Sequence, residues 1–154
     1  YRETLYENSP LSRTVGVKNP GAVWNAHPKT AAYRCNTAGE VVLFRISSDG
    51  VQRVGRYTPG ALYVTRETDE DGIWQESFTD KSGRVVMTRQ GNGYDTYYIY
   101  DDHGRLCYVL PPMAVDGMYN TGNYPDSHTL LQQYAYLYKI RRPGELHREA
   151  FARL

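Results

Sequence analysis

Tyr98-Ile99-Tyr100-Asp101-Asp102-His103-Gly104-Arg105-Leu106 is the stretch on which the fold turns. An apolar, strand-like run leads to an Asx residue, a glycine follows three positions later, and a second apolar run begins. An Asx side chain accepts a backbone N–H two residues on, and glycine takes the left-handed conformation that closes a type I turn with a bulge. The segment therefore reads as strand, turn, strand. The pattern recurs along the chain. Gly39, Gly60, Gly83 and Gly104 stand 21, 23 and 21 residues apart. Each leads into a strand-like run: Val41-Val42-Leu43-Phe44, Leu62-Tyr63-Val64, Val85-Val86-Met87 and Leu106-Cys107-Tyr108-Val109. Three residues before the glycines stand Asn36, Tyr57, Asp80 and Asp101, and Arg84 and Arg105 follow the last two. The second copy, Tyr57-Thr58-Pro59-Gly60, predicts a type II turn instead, with Pro59 at i+1 and Gly60 at i+2.

A second turn series interleaves with the first. Asp49-Gly50, Asp71-Gly72, Asn92-Gly93 and Asp116-Gly117 are strong short hairpin signals. Together the two series cut residues 33 to 117 into strands of about 7 to 9 residues, near the ordinary length. The expected fold is all-β: consecutive antiparallel hairpins forming a curved sheet, exposed on one side and covered on the other, with a short C-terminal helix. The aromatics of the strands entering the turns, Tyr33, Tyr57, Phe78, Tyr98 and Tyr100, are expected to stack across strands.

The flanks are less regular. Residues 1–32 read as an irregular lead-in packing on the sheet through Leu11, Val15, Val17, Val23 and Trp24. Residues 33–118 hold the four repeats, and 119–154 a loop, a short helix and a polar, basic tail. Leu130, Leu131, Tyr134, Ala135, Leu137 and Tyr138 fit helical spacing after Ser127, while Tyr134, Tyr136 and Tyr138 fit a strand. The short helix is expected to pass into a strand or extended stretch.

Composition narrows the function. The 154 residues suit one domain, and 18 basic against 17 acidic residues leave a net charge of +1. Such a balance gives no drive toward nucleic acid, and the arginines are dispersed among acids. No apolar run is long enough for a membrane-spanning helix. Starting at Tyr1, the chain reads as a piece of a longer polypeptide, with no signal peptide visible. Cys35 and Cys107 are two buried apolar residues or one bridge, and neither has zinc-ligand spacing.

Catalytic patterns fare poorly. Asp69-Glu70-Asp71 and Asp101-Asp102 offer carboxylates, but turn chemistry already accounts for Asp71, Asp80 and Asp101. Calcium-loop spacing is incomplete, and His27, His103, His128 and His147 form no metallohydrolase pair. His103 with Cys107 lacks an orienting group. No phosphate loop or nucleophile elbow occurs. The sequence predicts no enzyme, no metal and no cofactor. Ligand stacking is the rival reading: 15 Tyr stand against 3 Phe and 2 Trp, and Trp24, Trp74, Tyr94 and Tyr97 are the candidate platform. The alternative is that tyrosines at strand positions join repeat to repeat.

The fourth copy resembles the Tyr-x-Tyr-Asp-x-x-Gly-Arg-Leu motif of bacterial RHS/YD-repeat proteins. Thr79-Asp80-Lys81-Ser82-Gly83-Arg84-Val85-Val86 and Asn36-Thr37-Ala38-Gly39-Glu40-Val41 are similar to an N-terminal region of large secreted or surface members. The resemblance covers roughly residues 8–138. Copy two lacks the Asp, copies one and two lack Arg after Gly, and Lys139-Ile140-Arg141-Arg142-Pro143-Gly144 breaks the pattern. The resemblance implies a non-enzymatic scaffold: hairpin repeats wound into a β-sheet spiral, in some members a hollow shell around a toxic domain, in others a cell-surface protein. The implied partners are neighbouring repeats of the same polypeptide, or a cell-surface glycan for an adhesion module. Its motif residues here are Asn36, Gly39, Gly60, Asp80, Gly83, Arg84, Tyr98, Tyr100, Asp101, Gly104 and Arg105.

Overall fold

The computed structural model describes residues 1–47, 50–91, 93–121 and 136–137. Strands β1 (Glu3–Tyr6), β2 (Thr14–Lys18) and β3 (Lys29–Cys35) open the chain, with a four-residue helix α1 (Ala22–Asn25) before β3. Strands β4 (Val42–Ser47) and β5 (Gly50–Arg56) form a hairpin. β6 (Tyr63–Thr68), β7 (Trp74–Thr79), β8 (Val85–Gln90), β9 (Tyr94–Tyr100) and β10 (Leu106–Leu110) follow, then α2 (Pro112–Thr121) and β11 (Tyr136–Leu137). One nine-stranded sheet has the order β1-β2-β3-β6-β7-β8-β9-β10-β11, and β4-β5 makes a separate two-stranded sheet. All pairings are antiparallel. The all-β hairpin architecture with a short helix toward the C-terminus is thus present.

Three features differ from the sequence reading. The lead-in is not irregular, since β1 and β2 lengthen the sheet; Val23 and Trp24 do not pack on it but stand 74% and 53% exposed. The hairpin ladder is interrupted, because β3 pairs with β6 over six positions while β4-β5 leaves the sheet. Asp116-Gly117 lies within α2 rather than in a turn. Proline in a helix's first turn sacrifices no internal bond, so Pro112 starts α2 as readily as it would a loop. The Ser127–Tyr138 helix expectation lies outside the described residues, except that Tyr136–Leu137 pairs with β10 as a strand.

The core lies on one face of the sheet. Strand alternation aims Val64, Phe78, Met87, Tyr97, Ile99 and Leu110 at it. Val41, Val42 and Val51 from the inserted hairpin cover the middle, and Val115 and Met118 of α2 close the β9 side. Phe44 meets Tyr97 edge to face at 5.3 Å, and the Tyr97 hydroxyl accepts the Val42 N–H at 3.3 Å. That bond satisfies a buried backbone donor where the hairpin meets the sheet. The opposite face carries Tyr33, Thr65, Ser77, Thr88 and Thr96 in one cross-strand row.

Cys35 on β3 and Cys107 on β10 are both free thiols. Five inter-strand steps separate their strands, roughly 24 Å at about 4.8 Å each, whereas a bridge needs Cα atoms within about 7 Å. The bridge alternative is therefore removed, and the buried reading fails as well, since Cys35 is exposed and Cys107 only half-buried.

Two substitutions test this architecture. Gly83 has φ 81° with open space where a Cβ would go. Gly83→Val should lower unfolding free energy by about 2 kcal/mol through backbone strain alone, read from the denaturant midpoint. Tyr97→Phe keeps the ring and removes the oxygen facing the Val42 N–H; a loss of about 1–2 kcal/mol is expected, and no loss would show the bond is dispensable.

Candidate functional site

The motif residues build a compact corner. Asp80 donates its N–H to the Arg84 carbonyl at 2.9 Å and receives the Gly83 N–H on its own carbonyl at 3.0 Å. Its Oδ1 accepts the N–H groups of Ser82 and Arg84, at 2.8 and 3.0 Å. Oδ2 takes the Arg84 side chain at 2.8 Å. Asp101 repeats this with His103, Gly104 and Arg105. One carboxylate thus caps two backbone donors and holds the arginine that follows the glycine. Burial works against the Asp80 anion, but the Arg84 and Ser82 bonds prevail and its pKa lies below the ordinary value. The Arg105 backbone bond, opposed by partial desolvation, leads the same downward shift at Asp101.

Asp69 makes a third such corner that the sequence reading missed. Its Oδ1 accepts from Asp71 and Ile73, and its carbonyl receives the Gly72 N–H. Asp71-Gly72 is the local turn signal, yet the organising residue stands three positions before the glycine, at Asp-x-x-Gly spacing. No arginine follows Gly72.

Asn36 does not cap the Gly39 turn as expected. Its N–H donates to the Leu62 carbonyl at 3.1 Å, and its Oδ1 accepts the Leu62 N–H at 2.8 Å. Its carbonyl receives the Gly60 N–H at 3.0 Å, and its Nδ2 donates to the Thr58 carbonyl at 3.0 Å. This is the corner of β3 and β6, with residues 37–59 spliced into it. At Gly39 the Glu40 carboxylate takes over, accepting the Thr37 N–H at 2.8 Å. Gly60 behaves as expected: Ala61 N–H reaches the Thr58 carbonyl at 3.1 Å, and Gly60 has φ 75°.

Below the apolar core, the same sheet face carries Glu40, Arg34, Glu76, Arg66, Arg89 and Asp95 in one network. Arg34 bridges Glu40 at 2.6 Å and Glu76 at 3.1 Å, and Arg66 reaches Glu76 at 3.3 Å. Arg89 clasps Asp95 through two bonds of 2.7 and 2.9 Å and approaches Glu40 at 3.4 Å. Glu76 and Asp95 are buried, so each needs these partners. The Arg34 guanidinium holds Glu40 down to about 2, against partial desolvation and with help from Thr37.

Among the described residues, Tyr33, Tyr57, Phe78, Tyr98 and Tyr100 are not stacked on one another as expected. Arginines lie over several rings instead: Arg13 over Tyr33 at 4.4 Å, Arg34 and Arg89 over Phe78, Arg66 over Trp74 at 4.0 Å, and Arg84 over Tyr100 at 5.2 Å. The Tyr100 hydroxyl also donates to the Val85 carbonyl, tying β9 to β8. The four platform candidates are dispersed. Tyr97 is 2% exposed in the core and cannot stack a ligand. Trp74 is half-buried beneath Arg66, Tyr94 projects from the opposite face, and Trp24 lines a separate groove. Tyr98 shares the Tyr94 face.

With this geometry in place, the chain matches no family model, no curated protein and no solved structure.

Two outcomes check the polar design. Asn36 is 3% exposed, so Asn36→Asp would bury an anion facing the Thr58 carbonyl. A loss of about 2–3 kcal/mol at pH 7 is expected from chemical denaturation; burial raises the folded pKa of the new carboxyl, so the loss shrinks as pH falls through that raised value and levels off by about pH 4. Glu40 has a folded pKa below its ordinary 4.5, so its contribution is present above that value and disappears as pH falls toward 2. Glu40→Gln should therefore be destabilised at pH 7 yet lose less additional stability than the parent between pH 4.5 and 2.

Proposed function

We propose that the chain is a non-enzymatic structural repeat unit. It would form one section of an RHS/YD-repeat-like wall in a secreted or surface-attached bacterial protein, serving toxin encapsulation, toxin delivery or cell-surface contact. The observation that carries this reading is the recurring Asx corner. It stands at Asp69, Asp80 and Asp101, and in split form at Asn36, each time joining neighbours of one serial sheet. Such a sheet grows by adding hairpins, and among the described residues β1 and β11 each have a single neighbour. An unpaired sheet edge is a template for further strands. The carboxylates considered for catalysis support the same reading, because Asp69 and Asp101 are already occupied in turns.

A glycan-binding adhesion module is the second reading. Its specific support is the uncovered face, where Tyr94 and Tyr98 flank Thr96 beside the Thr88, Ser77 and Thr65 row. Aromatic rings next to hydroxyls suit sugar stacking and hydrogen bonding.

Particle imaging of the natural polypeptide containing this sequence separates the two. A hollow or spiral-walled particle is expected; a compact one without a cavity would sink the wall reading. A glycan array with Tyr94→Ala and Tyr98→Ala supplies the other arm. Saturable binding abolished by these changes, at unchanged melting temperature, would establish adhesion instead.

A further inference from the structure

Away from the repeat corners, α1 and the Asp69 corner face one another across a groove of about 620 Å³. A groove of this size falls within the range of small-ligand sites. Val23 and Trp24 form one wall, both largely exposed, and His27 and Pro28 continue it. Thr30 and Thr68, directly paired between β3 and β6, make the floor. Asp69, Glu70 and Asp71 form the other wall.

The charges there are unequal. Glu70 is held by the Lys29 ammonium at 3.4 Å and by the Asn19 amide at 2.9 Å. Asp69 spends Oδ1 on its two backbone donors, and neither it nor Asp71 has an ion pair among the described residues. Two carboxylates therefore lack a cation opposite an exposed indole. Elsewhere the fold seats a guanidinium over rings of this kind: Arg66 covers Trp74, and Arg13 covers Tyr33. No arginine covers Trp24 among the described residues. An indole face attracts cations, most strongly when desolvated, and carboxylates nearby add to the attraction.

We propose that this groove binds an organic cation, an alkylammonium or quaternary ammonium group on an apolar body, with Trp24 under the charge and Asp69 and Asp71 beside it. The threonine floor supplies hydroxyls for a polar substituent. This site is independent of the wall reading and would persist if that reading failed.

The test is ligand-observed saturation-transfer NMR on the full chain with choline, N-acetyl-lysine methyl ester, neutral 3,3-dimethylbutanol and a neutral trisaccharide. Saturable transfer to the two cations is expected, weakened by added salt, with the neutral isostere of choline at least several-fold weaker. Trp24→Ala should abolish transfer while leaving the melting temperature unchanged, since the ring is exposed. Asp71→Asn should weaken binding roughly two- to fivefold, the scale of one exposed charge pair. Equal binding of 3,3-dimethylbutanol would reduce the groove to an apolar surface. Transfer to the trisaccharide without the cations, binding unaffected by Trp24→Ala, or no saturable transfer at all would each overturn the proposal.

Discussion

A single side-chain oxygen accepting two backbone N–H groups organises this molecule. At each corner the chain must reverse within four residues while two donors lose their strand partners, and one Asx oxygen answers both. The left-handed glycine then returns the chain in register, with φ 79° at Gly72, 81° at Gly83 and 77° at Gly104. Arginine after glycine is an addition to this device rather than its basis. Asp69 works without one, while at Asp80 and Asp101 the guanidinium neutralises a carboxylate that the turn partly desolvates. The Asp-x-x-Gly-Arg spelling is thus a self-contained turn whose charge is balanced within five residues.

Arginine has a second task on the sheet faces. Its planar head lies over aromatic rings while its N–H groups reach carboxylates, as Arg34 does with Phe78, Glu40 and Glu76. This pairing makes buried acids tolerable on a face that is only half covered by the inserted hairpin and α2. It also gives Tyr33 and Tyr100 partners that are not other tyrosines. The core itself remains small, and the charge network extends its packing across β3, β6, β7, β8 and β9.

What the sequence revealed follows the range of the interactions. Corners at Asp80 and Asp101 are complete within five consecutive residues, so spacing alone exposed them. The type II turn at Pro59-Gly60 was legible for the same reason. Asn36 was assigned to the wrong glycine because its true partner, Leu62, lies 26 residues away. The Arg34–Glu76 pair spans 42 residues, and only the strand register brings it together. α2 was hidden because an Asp-Gly dipeptide is a turn signal locally, whereas burial of Ala114, Val115 and Met118 on one helical face is decided by β9. The groove beside Trp24 likewise joins segments that no local pattern relates.

The split corner bears on the order of folding. Asp80 and Asp101 close loops of a few residues, so pairings from β6 through β10 are nearest neighbours in sequence. The β3–β6 contact must instead close a 26-residue interval, which costs about 1.7 kcal/mol more chain entropy than a four-residue one. The six-position β3–β6 ladder, the Arg34–Glu76 pair and the seating of Val41, Val42 and Phe44 on the sheet together offset that cost. By chain entropy alone, the pairings from β6 through β10 close at lower cost than the β3–β6 contact, whose long loop the buried Asn36 amide pins at both ends.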